Sequence, residues 1–226
     1  IANFFKGLTH NGVSIPVIFR PLHECDGQWY WWGSTCSTGE DYTRAWRYTQ
    51  SYLRDELGVH NLLYIFSPDK ISWFEEEAFE ERYPGSNFVD LIGNDRYDTE
   101  RDYTENSLSD CRVLVKHAHA SGKVVAMSES GIFTPGVASV SNKDWFTDSF
   151  LEAMANDEEC RRIAYVMTWT NFNPERYWVP LAGDNLAASF LNMYQGNSSI
   201  FAADPWWVGL QNKYSIGIAA ESDSKA

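Results

Sequence analysis

The sequence has few basic residues, no long apolar run and no leader of the signal-peptide kind. Its 18 lysines and arginines are outnumbered by 31 aspartates and glutamates, which gives a net charge of −13. This charge argues against nucleic acid and against an anionic membrane as partners. No apolar segment approaches the ~20 residues that span a bilayer, and no charged and apolar leader opens the chain. The acidic charge favours an uncharged ligand, and 226 residues suffice for one sizeable globular domain.

Cysteine is scarce as well, with four residues in the whole chain. They are too sparse for a disulfide scaffold and lack Cys-x-x-Cys spacing, so no metal site is expected. Cys25 and Cys36 flank a tryptophan-rich segment, and two alternatives stay open for them: a disulfide that closes this segment in a secreted protein, or two buried thiols. No glycine-rich phosphate loop opens a predicted helix, so no nucleotide cofactor is expected either.

Short apolar segments alternate with stretches of helical periodicity along the chain. Such segments are typical of buried parallel strands, and their alternation with helices predicts a parallel α/β fold. The predicted strands are residues 16–22, 62–67, 88–97, 123–129 and 163–169. Helices are predicted around residues 3–9, 42–53, 108–118, 146–154 and 185–194, and Gly58 and Gly122 are predicted helix stops.

Polar and aromatic residues gather where the predicted strands end. In a (β/α) barrel the active site lies at this carboxyl-terminal face, so five strands that agree on one polar end predict a site there. The residues concerned are His23, Glu24, Ser67, Asp69, Asp95, Tyr97, Glu129 and Trp169. By strand alternation, Asp95 and Tyr97 share one side of their strand, and Arg20 faces the same side as Glu24 and is predicted to pair with a carboxylate.

The most informative segment is residues 17–33, VIFRPLHECDGQWYWWG. A strand that ends in a carboxylic acid beside three tryptophans suits the cleavage of sugar chains. The acid can protonate a leaving oxygen, and flat aromatic faces can hold the C–H surface of a sugar. Glu129, at the end of another predicted strand, would supply the second carboxylate. Retaining hydrolysis requires the two carboxyl groups to lie ~5–5.5 Å apart.

These motifs resemble glycoside hydrolase family 26, the retaining endo-β-mannanases of a larger clan of (β/α)8-barrel glycosidases. The family signature, Arg-Pro-x-His-Glu followed by Gly-x-Trp-x-Trp-Trp-Gly, stands here at residues 20–24 and 27–33. Its Glu-x-Gly stands at 129–131, its Asp-x-Tyr at 95–97, and its strand-8 tryptophan is Trp169. The histidine before the first glutamate distinguishes this family from others of the clan, which usually carry asparagine there.

The resemblance implies a role for each matching residue. Glu24 is the acid/base at the end of barrel strand 4, and Glu129 is the nucleophile at the end of strand 7, with the Tyr97 hydroxyl as its predicted donor. His23, Tyr97 and Asp95 are supporting residues, although His23 could also be a structural histidine. Trp29 and Trp169 are predicted to stack on sugar, the alternative being that they belong to the core. Four other tryptophans are interpreted as structural: Trp31, Trp32, Trp206 and Trp207.

The resemblance also implies an incomplete (β/α)8 TIM barrel in this chain. Only strands 4–8 are accounted for, and three further β/α units would need on the order of 90 residues. We therefore expect a partial catalytic domain over residues 1–205 and a Trp-containing tail over residues 206–226.

The implied function is retaining hydrolysis of β-1,4-mannosidic bonds in mannan, galactomannan or glucomannan, without a cofactor, by a secreted protein that is monomeric when complete. The alternatives are a β-1,3/1,4-glucanase or β-1,3-xylanase of the same family, or a non-catalytic carbohydrate-binding fragment. The sequence does not discriminate among these substrates, because the contacts that select them could lie on strands 1–3.

Overall fold

The computed structural model describes residues 1–71, 76–173, 176–201, 204, 205 and 209. Five strands form one parallel sheet in the order β3-β4-β5-β6-β7, and the short strands β1 and β2 form a separate antiparallel pair. The strands are β1 (Thr9–His10), β2 (Val13–Ser14), β3 (Val17–Phe19), β4 (Leu62–Phe66), β5 (Leu91–Asp98), β6 (Val124–Ile132) and β7 (Tyr165–Val166). The five predicted strands are therefore confirmed, whereas the β1–β2 pair was not predicted.

The α-helices of the described residues lie before, between and after the parallel strands. They are α1 (Ala2–Gly7), α2 (Gly39–Ser51), α3 (Glu76–Arg82), α4 (Tyr103–Ser121), α5 (Ala153–Asn156) and α6 (Ala187–Gln195). Each predicted helix has a counterpart among them. The turn Tyr52–Glu56 continues α2 in π-helical form, and Phe146–Glu152 leads into α5 in the same way. Gly122, at φ +67°, caps α4 in the left-handed conformation expected of a helix stop.

The two faces of the sheet bury different residues. The helix-side face carries the main core, in which Tyr64, Phe66 and Met127 pack against α2 and α4. The opposite face holds a smaller cluster of Ile65, Leu91 and Ala126 with Tyr165 packed against it. Five parallel strands with helices on the outside and a second apolar face inside form part of a (β/α)8 barrel, as predicted.

The disulfide of the chain joins Cys111 and Cys160, whose Cα atoms are 5.7 Å apart. The predicted Cys25–Cys36 disulfide is wrong, because both residues are free thiols. The alternative of two buried thiols is confirmed for Cys25, which is buried, and is wrong for Cys36, which is exposed. The physical reason is tertiary. Cys111 on α4 and Cys160 in the turn Cys160–Arg162 lie in the same buried cluster below the sheet. Sequence spacing cannot show that proximity.

Among the described residues, no helix has both the length and the apolar character needed to cross a membrane. The predicted Trp-containing tail, including Trp206 and Trp207, lies outside the described residues apart from Gly209. The division at residue 205 therefore stays a prediction.

Candidate functional site

The segment after β3 turns sharply before it reaches Glu24. Leu22 and Glu24 both adopt left-handed backbone conformations, with φ of +48° and +50°. Such a conformation costs a non-glycine residue about 1 kcal/mol or more, so its surroundings must hold it in place. The Glu24 N–H donates to the Ser67 carbonyl at 2.8 Å, and the Tyr42 hydroxyl donates to the Leu22 carbonyl at 2.9 Å. The turn fixes the direction of the Glu24 side chain.

The Arg20 guanidinium connects two carboxylates at the strand ends. Its Nη1 donates to Asp95 Oδ2 at 2.5 Å, and its Nη2 donates to Glu129 Oε1. The other Glu129 oxygen, Oε2, accepts from the Tyr97 hydroxyl at 2.8 Å. Burial and the neighbouring Glu129 charge raise the pKa of Tyr97, so its hydroxyl keeps its proton and remains a donor. The predicted Arg20 ion pair and the predicted Tyr97 hydrogen bond are both present.

A β-bulge at Ser128 determines where Glu129 points. Asn94 of β5 pairs with Met127 of β6, but the next pair is Asp95 with Glu129, so Ser128 has no opposite residue. Met127 packs against the helices, and strict alternation would point Glu129, two residues on, the same way. The extra residue reverses the alternation, so both Ser128 and Glu129 face the inside of the barrel. Nothing in the order of residues announces this bulge.

The Trp29 indole lies against the other glutamate. Its Nε1–H donates to Glu24 Oε2 at 2.7 Å, and the Trp29 side chain is largely exposed, so the core alternative for this residue is wrong. A Cβ atom at Gly27 would lie 2.5 Å from the Trp29 ring, so only glycine lets the indole come this close to the backbone.

The environment of Glu24 favours its neutral, protonated form. Burial raises the pKa of Glu24, the Trp29 N–H opposes that rise, and the negative charge of Glu129 adds to it. The two carboxyl groups thus have different environments: Glu24 has a raised pKa, and Glu129 is held by Arg20 and Tyr97. Acid-assisted glycoside cleavage requires such a difference between its two carboxyl groups.

His23 is held by two aromatic neighbours. Its Nε2 lies 3.2 Å from the Tyr30 hydroxyl, and its carbonyl accepts from Trp32 Nε1 at 2.8 Å. The Tyr30 and Trp32 rings are stacked with their centroids 4.3 Å apart. Burial lowers the pKa of His23, and the nearby Arg20 charge lowers it further. His23 therefore combines a structural position with a neutral ring at the edge of the site.

One metal-ligand arrangement exists among the described residues. Ligand atoms of His23, Glu24 and Asp95 lie within 4.8 Å of one another. The Arg20 guanidinium, however, already contacts Asp95 and brings a positive charge to this position. A cation would meet that charge directly, so these residues do not fit a metal site.

Trp178 belongs to the site and was not predicted. It is buried, its indole N–H donates to the Ile132 carbonyl at 2.7 Å, and its ring packs edge-on against Tyr97 with centroids 5.9 Å apart. A Cβ atom on Gly131 would lie 2.2 Å from the Trp178 ring. Glycine after Glu-Ser is therefore required for Trp178 to support Tyr97. Its pattern in the sequence, an aromatic in a loop, carries no distinguishing signal.

The remaining predicted tryptophans divide into two groups. Trp169 lies shortly after β7, is partly buried, and has its ring centroid 6.1 Å from that of Phe172. Trp32 is partly buried against the main core, in agreement with a structural role. Trp31, also interpreted as structural, is 69% exposed and packs edge-on against Trp32 with ring centroids 5.3 Å apart. It projects because Trp32, next to it, takes the inward position.

Asp69, after β4, should make folding stability depend on pH. Burial raises its pKa to about 7, with Lys70 opposing the rise and Asp26 and Glu24 adding to it. The folded protein thus keeps a proton that the unfolded chain releases near pH 4, and stability falls as the pH rises from about 4 to about 7. Asp69→Asn should remove this loss and stabilise the protein by on the order of 2–4 kcal/mol at neutral pH.

Urea unfolding of the enzyme with a complete barrel, at about pH 5 and about pH 8, checks this expectation. Asp144→Asn serves as the control, because Asp144 is a solvent-exposed aspartate away from this cluster. If Asp69→Asn raised the free energy of unfolding equally at both pH values, the proposed titration of Asp69 would be contradicted.

Comparison with known proteins agrees with this geometry. Residues 1–179 match Glycosyl hydrolase family 26. A mannan endo-1,4-beta-mannosidase of Bifidobacterium adolescentis is 36% identical over 188 residues, which cover 79% of this chain and 18% of that protein. A mannan endo-1,4-beta-mannosidase of Bacillus subtilis is 38% identical over 103 residues, which cover 43% of this chain and 27% of that protein.

Solved structures extend the match to the fold. A modular endo-beta-1,4-mannanase from Cellulomonas fimi superposes with a TM-score of 0.82 at 34% identity, over 89% of this chain and 45% of that one. The chain thus spans less than half the length of each of these relatives. Because the family match covers most of the sequence and the solved relative shares its fold, the chain belongs to glycosyl hydrolase family 26.

Proposed function

We propose that this chain carries the two catalytic carboxylates of a retaining endo-β-1,4-mannanase. The observation that supports this most directly is the contrast between the two glutamates. Glu129 accepts hydrogen bonds from Arg20 on one oxygen and from Tyr97 on the other, which holds this carboxylate in a fixed position for attack. Glu24 sits partly buried with a raised pKa, which favours a proton donor.

The reaction follows from these two states. Glu24 protonates the glycosidic oxygen as the leaving sugar departs, while Glu129 attacks the anomeric carbon and forms a covalent glycosyl ester. Esterification removes the negative charge of Glu129. The pKa of Glu24 then falls, and its carboxylate can take a proton from the water that hydrolyses the ester. Arg20 and Tyr97 are released from the ester oxygens and stabilise the returning carboxylate.

The neighbouring residues would orient the sugar around this pair. Trp29 contacts the Glu24 carboxyl, so its exposed ring face is proposed to hold the leaving sugar. Trp169, shortly after β7, is proposed to stack on the sugar that becomes bound to Glu129. His23 is proposed to orient Glu24 or a sugar hydroxyl through its neutral ring. The separation of the Glu24 and Glu129 carboxyl groups, expected at ~5–5.5 Å, stays a prediction.

The substrate proposed is a β-mannan: mannan, galactomannan or glucomannan. Support comes from the relatives, which carry the name mannan endo-1,4-beta-mannosidase. We further propose that the enzyme is secreted and acts as a monomer. The Cys111–Cys160 disulfide supports an oxidising compartment outside the cytosol.

The test uses the enzyme with a complete barrel. Reducing-sugar release from galactomannan, lichenan and β-1,3-xylan should be fastest on galactomannan, and NMR should detect the β-anomer of the product first. Faster release from lichenan or β-1,3-xylan would assign the chain to the other activities of the family. Binding without hydrolysis would favour a carbohydrate-binding role, and initial formation of the α-anomer would contradict retention.

Trp29→Ala should weaken transition-state binding, because it removes both a sugar-facing ring and the N–H that contacts Glu24. We expect a loss of about 1–3 kcal/mol in kcat/KM on mannan, or roughly 5- to 150-fold. Trp29→Phe, which keeps a ring but not the N–H, separates the two contributions. Trp31→Ala is the control, since Trp31 is exposed in the same loop. Unchanged kcat/KM with a collapsed melting temperature would show that Trp29 serves stability alone.

A further inference from the structure

Two buried serine hydroxyls contact the Asp95 carboxylate of the site. Ser67 follows β4 and is 1% exposed, and Ser128 forms the bulge of β6 and is 3% exposed. Their Oγ atoms are 2.6 Å apart, and each lies 3.0 Å from Asp95 Oδ1. Asp95 Oδ2 carries the Arg20 contact. Asp95 therefore has serine hydroxyls on one oxygen and a guanidinium on the other.

The number of hydroxyl protons in this cluster determines which atom finally accepts a hydrogen bond. Each hydroxyl has one proton, and the short distance between them means that one serine donates to the other. The second serine then has a proton for another acceptor. Among the described residues, Ser67 Oγ can donate to Ser128 or to Asp95, whereas Ser128 can also reach the Asn94 carbonyl at 3.0 Å. A carboxylate is the stronger acceptor, so in either order the chain of donors ends on Asp95.

We propose that Ser67 and Ser128 act as positioning residues of the hydrolysis, by holding Asp95 as a carboxylate that keeps Arg20 against Glu129. The inference rests on the proposed function and names residues of that same site. Arg20 spans Asp95 and Glu129, so a neutral Asp95 would leave its guanidinium with a single anionic partner. Without the Asp95 charge, the guanidinium would no longer be held in place and could move together with the Glu129 side chain. The carboxylate of Glu129 would then lose its fixed orientation toward the sugar.

Ser128 also connects this role to the bulge. Its hydroxyl contacts Asp95 and the Asn94 carbonyl of β5, so it pins the extra residue of β6 at the point where the alternation reverses. The bulge directs Glu129 inward, and the hydroxyl of the residue before it holds the bulge to β5. Position and charge of the nucleophile thus depend on the same small cluster.

Loss of either hydroxyl should change the pH dependence of the reaction. Burial raises the pKa of Asp95, and the Arg20 charge and the Ser128 hydrogen bond oppose that rise. When a donor is removed, the pKa of Asp95 rises further, so activity is lost at a higher pH on the acidic side. The titratable and charged groups that interact with Asp95 lie in the segment after β3 and on β5, β6 and β7: Arg20, His23, Glu24, Tyr30, Tyr97, Glu129 and Tyr165. None of these is altered by the serine substitutions.

The experiment compares Ser67→Ala and Ser128→Ala in the enzyme with a complete barrel. Each should move the acidic limb of kcat/KM upward by about one pH unit and lower kcat roughly tenfold, with KM changed little. The double variant should be no worse than the more severe single variant, because both hydroxyls serve one acceptor. Ser67 lies outside the bulge, so Ser67→Ala still tests the role of the serine hydroxyls if Ser128→Ala disturbs folding.

Ser189→Ala is the matched control, since Ser189 is equally buried and its hydroxyl accepts from the Phe146 N–H away from the site. It should lower the melting temperature without moving the acidic limb. An unmoved limb in Ser67→Ala, or additive losses in the double variant, would overturn the inference. An active Glu129→Ala would instead overturn the proposed function, so the two failures are distinguishable.

Discussion

Glu129→Ala is expected to abolish hydrolysis of every substrate, with kcat/KM lowered by roughly 10⁴-fold or more. Alanine leaves no atom to form the glycosyl ester, and it also removes the group that Arg20 and Tyr97 hold. An activated aryl mannoside does not help, because its better leaving group still needs a nucleophile. Parallel steady-state assays on galactomannan and on an aryl mannoside measure this loss.

Glu24→Ala is expected to separate those two substrates. The polymer needs its leaving oxygen protonated, so its hydrolysis should fall as steeply as in Glu129→Ala. An aryl mannoside with an acidic phenol departs without that proton, so its glycosylation step should be largely preserved. The matched control is Glu24→Gln, which keeps the Trp29 contact but not the acid. Equal losses on both substrates would overturn the assignment of the acid and the nucleophile.

Supplying the rest of the barrel is expected to have the other large effect. Within the described residues, β3 and β7 each pair on one side only, and the inner face exposes Ile18, Leu63 and Met167 at 44%, 45% and 49%. Unpaired edges and an open apolar interior favour aggregation. The 226 residues alone should therefore aggregate and fail to hydrolyse mannan. With about 90 upstream residues in place, a monomeric and active enzyme is expected.

Light scattering, urea unfolding and mannan hydrolysis check this difference. The double variant Ile18→Thr, Leu63→Thr is the control. It should improve the solubility of the 226-residue chain alone, but it should destabilise the complete barrel, because both residues face the interior there. A soluble, cooperatively unfolding and active 226-residue chain would contradict the interpretation of β3 as the fourth strand of the barrel.

The sequence by itself determined the five parallel strands and most of the candidate site residues, although it did not indicate Trp178. Apolar segments bounded by turn residues marked the five strands, because buried parallel strands need little else to be recognised. Local motifs then placed Glu24, Asp95, Tyr97 and Glu129 at strand ends, and the family resemblance followed from residues 20–33. Strands and motifs of this kind are formed by residues that are neighbours in the chain, so they can be recognised in the sequence.

Only the tertiary structure decided how those residues meet. The bulge at Ser128 turns the Glu129 side chain to the other face of β6. The Arg20 side chain, which follows β3, contacts Asp95 on β5 and Glu129 on β6. Trp178 packs against Tyr97 from a loop far away in the sequence. The pairing of Cys111 with Cys160 was equally hidden. Each depends on contacts between residues far apart in the chain, whose energies come from packing and hydrogen bonding in three dimensions. Neither spacing nor periodicity records such contacts.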